Sequence, residues 1–402
     1  MRSPRSPRRV ALPVMLALLL LTAGCTGSDG EAGGGKVVKV GLIEALSGRN
    51  QEPGQGVRNA VELAIREANQ RGSVRGWKLE LLAKDAGDPE SAAKAAAELA
   101  ADPEVVGVLG TSSSSVSQAT VPVLARAGLV QLAYSNTNPT LTLGPYATTA
   151  PRRVWNNFAR LVANDLLQGN FAAQYAWDKL QARTVATVND QKTYGLGLVS
   201  AFEGEWRNRG GTVTSSNAIK EGDRDFGGLV SRILAQRPAF VYYGGEFEEA
   251  SRLAAQLAAR GYQGKFMGGD TLFTDDFIKG AGGAQSLATS VGQPVEKLPS
   301  AAGFVRAYQQ ARFPQPYGAY GAQAYDAAGL LIAAVGKVLP DAGGVRDARG
   351  GVMAAVNATS GYRGATGETT FDEFGDTSNL ALTVYEVRRG HWIDVDSGRA
   401  PS

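Results

Sequence analysis

The side chains able to do chemistry in this 402-residue sequence are few in kind. It holds one cysteine, Cys25, and one histidine, His391. That excludes a disulfide framework and a His/Cys metal cage, and gives a Cys–His dyad or Ser–His–Asp triad no support. What remains is a set of loops rich in hydroxyls and carboxylates. Residues 110–115 read GTSSSS and 134–139 read YSNTNP; 189–195 read NDQKTYG, 244–249 read GGEFEE and 268–270 read GGD.

In the first loop, Ser114 and Ser115 sit where a helix begins. Outward-pointing backbone N–H groups and serine hydroxyls there suit a carboxylate or another small anion, although capping with solvated serines explains the same residues. No lysine follows, so this is not a phosphate-binding Walker loop, and no Gly-x-Ser-x-Gly elbow occurs. In the second loop, Ser135, Asn136 and Thr137 offer hydroxyls and carbonyls; a turn closed by Asn138-Pro139 is the alternative. In the third, Tyr194 is placed to cover a ligand, and Gly195 and Gly197 lack the third glycine of a dinucleotide fingerprint. Glu246 and Glu249 of the fourth loop, and Asp270 of the fifth, offer carboxylates to a ligand ammonium. Acids in a first helical turn also complement the helix dipole, which accounts for some of them. Hydroxyls and N–H groups at one end and acids at the other describe a zwitterionic guest. No cofactor and no metal is expected.

These loops need elements to hold them. Residues 36–43 (KVVKVGLI) predict a strand, and 54–70 carry helical periodicity, with Val57, Val61, Ala64 and Ala68 on one face. Strands follow at 77–83, 105–110 and 129–133, with helices at 89–101 and 118–127 between them. After an irregular stretch around 141–157 the rhythm restarts: helices at 165–178, 194–209, 226–236 and 247–260, strands at 184–188, 240–243 and 266–268. Sustained β-α-β-α order implies parallel sheets with right-handed crossovers, and its appearance twice implies two α/β lobes. The last third reads as helices at 304–312, 320–338 and 345–356 with a strand near 380–387. Open parallel sheets bind ligands beyond the carboxyl ends of their strands, and each hydroxyl or acid loop follows such a strand. The natural site is the cleft between the lobes.

The first thirty residues read as an address. Arg2, Arg5, Arg8 and Arg9 precede an apolar run at 10–21 that is too short to span a bilayer. The segment 21–25 (LTAGC) is similar to the lipobox of bacterial lipoproteins, which implies a signal peptide over 1–24 and a diacylated Cys25. Residues 25–35 form a polar, glycine-rich tether. Setting the four leader arginines aside leaves 37 of 41 positive charges against 38 negative ones. The basic balance thus belongs to the leader, and no nucleic-acid partner is expected.

Taken in order, the segments 40–48 (VGLIEALSG), 107–118 (GVLGTSSSSVSQ), 135–139 (SNTNP), 190–195 (DQKTYG), 241–246 (VYYGGE), 324–328 (AYDAA) and 364–376 (GATGETTFDEFGD) resemble the leucine/isoleucine/valine-binding protein family. These are the type I periplasmic solute-binding proteins of ABC importers, and the resemblance spans about residues 36–389. It implies two doubly wound parallel-sheet lobes joined by a multi-strand hinge. It also implies that Ser114 and Thr137 hold an amino-acid carboxylate, and that the Ser135 carbonyl and an acid of the fourth loop take the ammonium. Alignment on Tyr-Tyr-Gly-Gly makes that acid Glu249, with Glu246 the rival; Tyr194 lines the second lobe. Two departures bear on the side-chain pocket. Pro53 falls where the family brings an aromatic over the ligand, and the stretch 145–157, with Arg152, Arg153 and Trp155, is longer than usual.

The expected division is lobe 1 over 36–160 plus 272–364 and lobe 2 over 161–271 plus 365–402, with crossings near 160, 271 and 365. The expected function is non-enzymatic: an extracytoplasmic, lipid-anchored protein captures a branched-chain or related amino acid by hinge closure and delivers it to an ABC permease and ATPase. A ligand sensor for a signalling receptor, and a binder of amides, urea-like solutes or aromatic acids, stay open. A surface hydrolase using Ser114 and Glu249 has no base near its serine.

Overall fold

A computed structural model of the chain describes residues 36–281 and 284–399. The leader, Cys25 and the whole of the 25–35 tether lie outside the described residues.

The first sheet is built from β1 (Lys36–Glu44), β2 (Trp77–Asp85), β3 (Val105–Gly110), β4 (Gln131–Ala133) and β5 (Phe158–Arg160). Its order is β2-β1-β3-β4-β5 and every pairing is parallel. Helices α1 (Gln51–Gln70), α2 (Pro89–Ala101), α3 (Ser114–Arg126) and the short α4 (Thr140–Leu143) supply the connections. Local chemistry sets their ends. Asp88 caps α2 by accepting from the backbone of Glu90 and Ser91, with Pro89 in the first turn.

The chain then crosses over. α5 (Asp165–Asp178), β6 (Thr184–Asn189), α6 (Thr193–Asn208), β7 (Thr212–Ala218), α7 (Gly227–Gln236), β8 (Phe240–Gly244), α8 (Phe247–Ala259), β9 (Lys265–Gly268), α9 (Asp275–Gly280) and β10 (Ser286–Val291) build the second lobe. Helices α10 (Ala302–Ala311), α11 (Gly321–Val338) and α12 (Val345–Asn357) return to the first, and a small hairpin, β11 (Tyr362–Gly364) with β12 (Gly367–Thr369), follows. β13 (Ala381–Arg388) and β14 (His391–Arg399) complete a second sheet ordered β14-β13-β10-β9-β8-β6-β7, antiparallel only at the β14-β13-β10 edge. α11 is long and apolar enough to cross a membrane, but it is core: Leu330, Leu331 and Val335 pack with Val38, Val40 and Leu42 of β1. The second lobe has an aromatic heart, with Phe202 stacked on Tyr242 at 3.8 Å and on Trp206 at 5.7 Å. Such pairs add about 0.5–1.5 kcal/mol each beyond the area they bury.

The alternation predicted from sequence is present, and α5 has the expected bounds. Two crossings differ. Residues 272–291 were expected in lobe 1, yet β10 lies between β9 and β13 in the second sheet, so that crossing follows Val291. The segment after 365 was expected in lobe 2, yet the hairpin turn is tied to α11, with Ala365 and Thr366 donating backbone N–H groups to Asp326, and Phe371 joins the first core. β10 (SLATSV) is wholly buried but short and rich in small residues, which weakens its local strand signal.

Candidate functional site

The hydroxyl ledge forms where β3 and β4 end. Gly110 turns the chain at φ 130°, and a Cβ there would strike the Ile43 carbonyl, so only glycine fits. Beyond it, Asn136 stitches the two loops together. Its amide nitrogen donates to the Thr111 carbonyl at 2.7 Å, and its oxygen accepts from the Ser117 hydroxyl at 2.6 Å and the Thr111 N–H at 3.2 Å. The Ser135 hydroxyl donates to the same Thr111 carbonyl. Arg160, wholly buried, donates to the carbonyls of Asn136 and Asn138 at 3.0 and 2.9 Å, to the Thr142 hydroxyl, and to Asp376 at 2.7 Å. The backbone on both sides of Thr137 is thereby fixed. Ser114, at the first turn of α3, accepts from the Asn138 N–H at 3.3 Å. The Ser115 hydroxyl pairs with Ser113.

The acidic ledge lies at the ends of β6, β8 and β9. Asp270 is buried and accepts from Tyr194 at 2.8 Å, from Gln168 at 3.0 Å, and from Tyr320, which comes from the start of α11 in the other lobe. The Tyr194 hydroxyl lies so close to Gly269 that any side chain there would displace it. Burial raises the Asp270 carboxyl, and the three donors oppose that rise. Glu246 begins α8. Its carboxylate has no hydrogen bond or ion pair among the described residues, and burial pushes it up to about 7.

Glu249, the acid that alignment favours, is differently engaged. It is buried and accepts from Arg49 at 2.6 Å and from the Gly222 N–H at 2.9 Å, with Arg252 at 3.8 Å. Arg49 belongs to the turn after β1, so this ion pair joins the lobes. A second bridge stands at α3 and α6: Asn138 donates to the Thr193 carbonyl at 2.8 Å, and Thr193 donates to Gln118 at 2.9 Å. The lobes are closed against each other at both places.

Around the ledges, the hydroxyls of Thr137 and Tyr242, Oε1 of Gln168 and both oxygens of Asp165 are buried without a hydrogen-bond partner. Burial pushes the Asp165 carboxyl up to about 8; the nearby Thr137 hydroxyl and Arg160 favour the charged form, and Asp270 opposes it. The structure thus brings Ser114, Thr137, Tyr194, Glu246 and Asp270 to one cleft, while the side chains of Ser135, Asn136 and Ser115 serve the loops themselves. Sequence reading did not single out Arg160, Asp165, Gln168 or Tyr320, because each acts through partners remote in the chain. Arg153 of the long 145–157 stretch turns to the carbonyls of Phe158 and Glu373 and to Asn357, and so secures the fold. Among the described residues no cluster of His, Cys, Asp and Glu could hold a metal. A separate cavity of about 300 Å³ beside the second crossing is walled by Phe273, Gln293, Tyr317, Tyr385 and Trp392, and none of the cleft residues lines it.

Two α/β lobes closing a hydroxyl ledge on an acidic one define a two-lobe solute-binding protein. The family model described as "Periplasmic binding protein" matches residues 37–391. The Leu/Ile/Val-binding protein BraC3 of Rhizobium johnstonii is 30% identical over 355 residues, covering 88% of this chain and 92% of that protein. Leu/Ile/Val-binding protein homolog 2 of Brucella abortus is 28% identical over 380 residues, covering 94% and 95%. In fold, the chain is similar to the leucine binding protein LivK of Thermotoga maritima (TM-score 0.80, 24% identity, 90% of this chain and 98% of that one). It is also similar to LivJ of Streptococcus pneumoniae in complex with isoleucine (TM-score 0.79, 22% identity, 90% and 100%). The chain belongs to the periplasmic binding protein family, as a relative of the Leu/Ile/Val-binding proteins.

Proposed function

We propose that this protein is a lipid-anchored, extracytoplasmic receptor that captures an α-amino acid, branched-chain or related, and delivers it to an ABC permease and ATPase. The carrying observation is the Thr137 hydroxyl, buried without a partner beside Ser114 and opposite the acids of the second lobe. In this reading the guest carboxylate accepts from Ser114, Thr137 and the N–H groups at the start of α3. Its ammonium donates to the Ser135 carbonyl and to the acidic ledge. Glu249 is committed to Arg49, so Asp270 and Glu246 are the acids left to serve. The relatives named for leucine, isoleucine and valine support the amino-acid assignment.

Closure excludes water and strengthens each polar contact. Charge-assisted hydrogen bonds contribute about 1.5–3 kcal/mol each, and a micromolar affinity needs about −8 kcal/mol in all. Capture requires no bond to be broken.

Calorimetry of the mature protein against a panel of amino acids tests the reading. Saturable binding with the ligand recovered intact supports it, whereas turnover, or silence across the panel, rejects it. Detergent phase partitioning of the expressed full chain tests the anchor: wild type enters the detergent phase and Cys25→Ala does not.

A further inference from the structure

The acidic ledge holds more carboxylate than one α-ammonium can use. Asp270 already accepts from Tyr194, Gln168 and Tyr320. Asp190 is occupied at the start of α6, where it accepts from the Lys192 N–H at 3.0 Å. Glu246, the residue before α8, has neither a hydrogen bond nor an ion pair among the described residues, and the negative charges of Asp190 and Asp270 bear on it. The cation that bears on it, Lys192, is held by Glu221 at 2.9 Å. Arg49 is spent on Glu221, Glu248 and Glu249. Independently, both carboxylate oxygens of Asp165, at the start of α5, lie buried with no hydrogen-bond partner. Glu246 is therefore a carboxylate without a donor of its own on the side that faces the guest.

Building on the amino-acid reading above, we infer that the guest's side chain ends in a nitrogen donor, a side-chain amide or a cationic nitrogen, and that Glu246 accepts it and sets specificity. A purely aliphatic side chain would desolvate Glu246 and return nothing. A site built to accept a hydrogen bond discriminates strongly against an analogue without the donor.

The test is calorimetry of the mature wild type and Glu246→Leu with leucine, glutamine, lysine and arginine at about pH 8, where a carboxyl titrating near 7 is mostly ionised. At least one donor-tipped amino acid should bind about tenfold or more tighter than leucine, a gap of about 1.4 kcal/mol. Glu246→Leu should abolish that preference, bringing the donor-tipped amino acid to the variant's own leucine affinity. If Glu246→Leu does not fold, Glu246→Gln, which keeps an acceptor without the charge, should lower the affinity for lysine and arginine. Leucine binding as tightly as all three, or a preference that survives substitution, overturns the specificity assignment and leaves amino-acid capture standing. Absence of binding by every amino acid removes both.

Discussion

Arg49 and Glu249, 200 positions apart, meet across the cleft with the guanidinium Nη2 2.6 Å from Oε1. The same guanidinium reaches Glu248 at 3.1 Å and Glu221 at 3.0 Å, so one side chain of the first lobe gathers three acids of the second. Glu249 is only 2% exposed, and leaving it without this partner is costly. Arg252 and the Gly222 N–H soften the loss. Arg49→Ala should therefore weaken ligand binding by about 1–3 kcal/mol while the fold survives. Calorimetry at low and high salt checks this: wild-type affinity should fall with salt, and the variant should respond less, because Arg49 itself is one-third exposed and screened. Equal affinity of the two proteins at both salt concentrations would remove the latch.

Thr137 and Asn136 are neighbours with opposite duties. The Thr137 hydroxyl has no partner, so Thr137→Ala should cost about 1–3 kcal/mol of ligand affinity and little thermal stability. Ser114→Ala should behave similarly. Asn136→Ala breaks three hydrogen bonds to Thr111 and Ser117 and should lower the melting temperature before any ligand is added. Scanning calorimetry of the three ligand-free variants separates the roles; a destabilised Thr137→Ala would contradict them.

Asp165 makes ligand-free stability depend on pH. Its folded-state pKa of about 8 lies above the unfolded value of about 3.9. Between those limits the folded state holds the extra proton, so stability falls as pH rises from about 4 to about 8. Glu246, raised to about 7, acts in the same direction over a narrower window. Asp165→Asn should flatten the decline and melt at a higher temperature than wild type at about pH 8, by about 2–4 °C for each kcal/mol recovered. A melting temperature at that pH no higher than wild type would show that burial of this carboxyl carries no such cost.

Asp270 ties Tyr194 and Gln168 of the second lobe to Tyr320 of the first. Asp270→Asn replaces one acceptor oxygen by a donor facing donors. It should destabilise the closed state by about 1–3 kcal/mol and weaken ligand binding more than Tyr194→Phe, which removes a single bond. Thermal shift with and without saturating ligand reads both effects. A Tyr194→Phe loss equal to that of Asp270→Asn would place the contribution in the tyrosine alone.

Much of the fold is legible locally. The run KVVKVGLI is β1, and α5 is set by its periodicity and by Asn164, which accepts from the Leu167 N–H. Elements without a local signal were not. β5 is three residues long, β7 (TVTSSNA) is a polar edge strand, and β10 is a strand because β9 and β13 flank it. The first-sheet loops were legible as a site because β3 and β4 are parallel and adjacent, which brings their carboxyl ends together.

By itself, then, the sequence determined the two-lobe α/β rhythm, the hydroxyl and acid loops at the strand ends, and the absence of cysteine–histidine chemistry. Those follow from residue type and short-range spacing. Only the tertiary structure decided which acid is free, that Arg49 occupies Glu249, that Arg160 fixes the carbonyls around Thr137, and that Asp165 is buried without a partner. Each depends on groups brought together from distant parts of the chain. Burial and pairing are properties of that packing, and no local pattern encodes them.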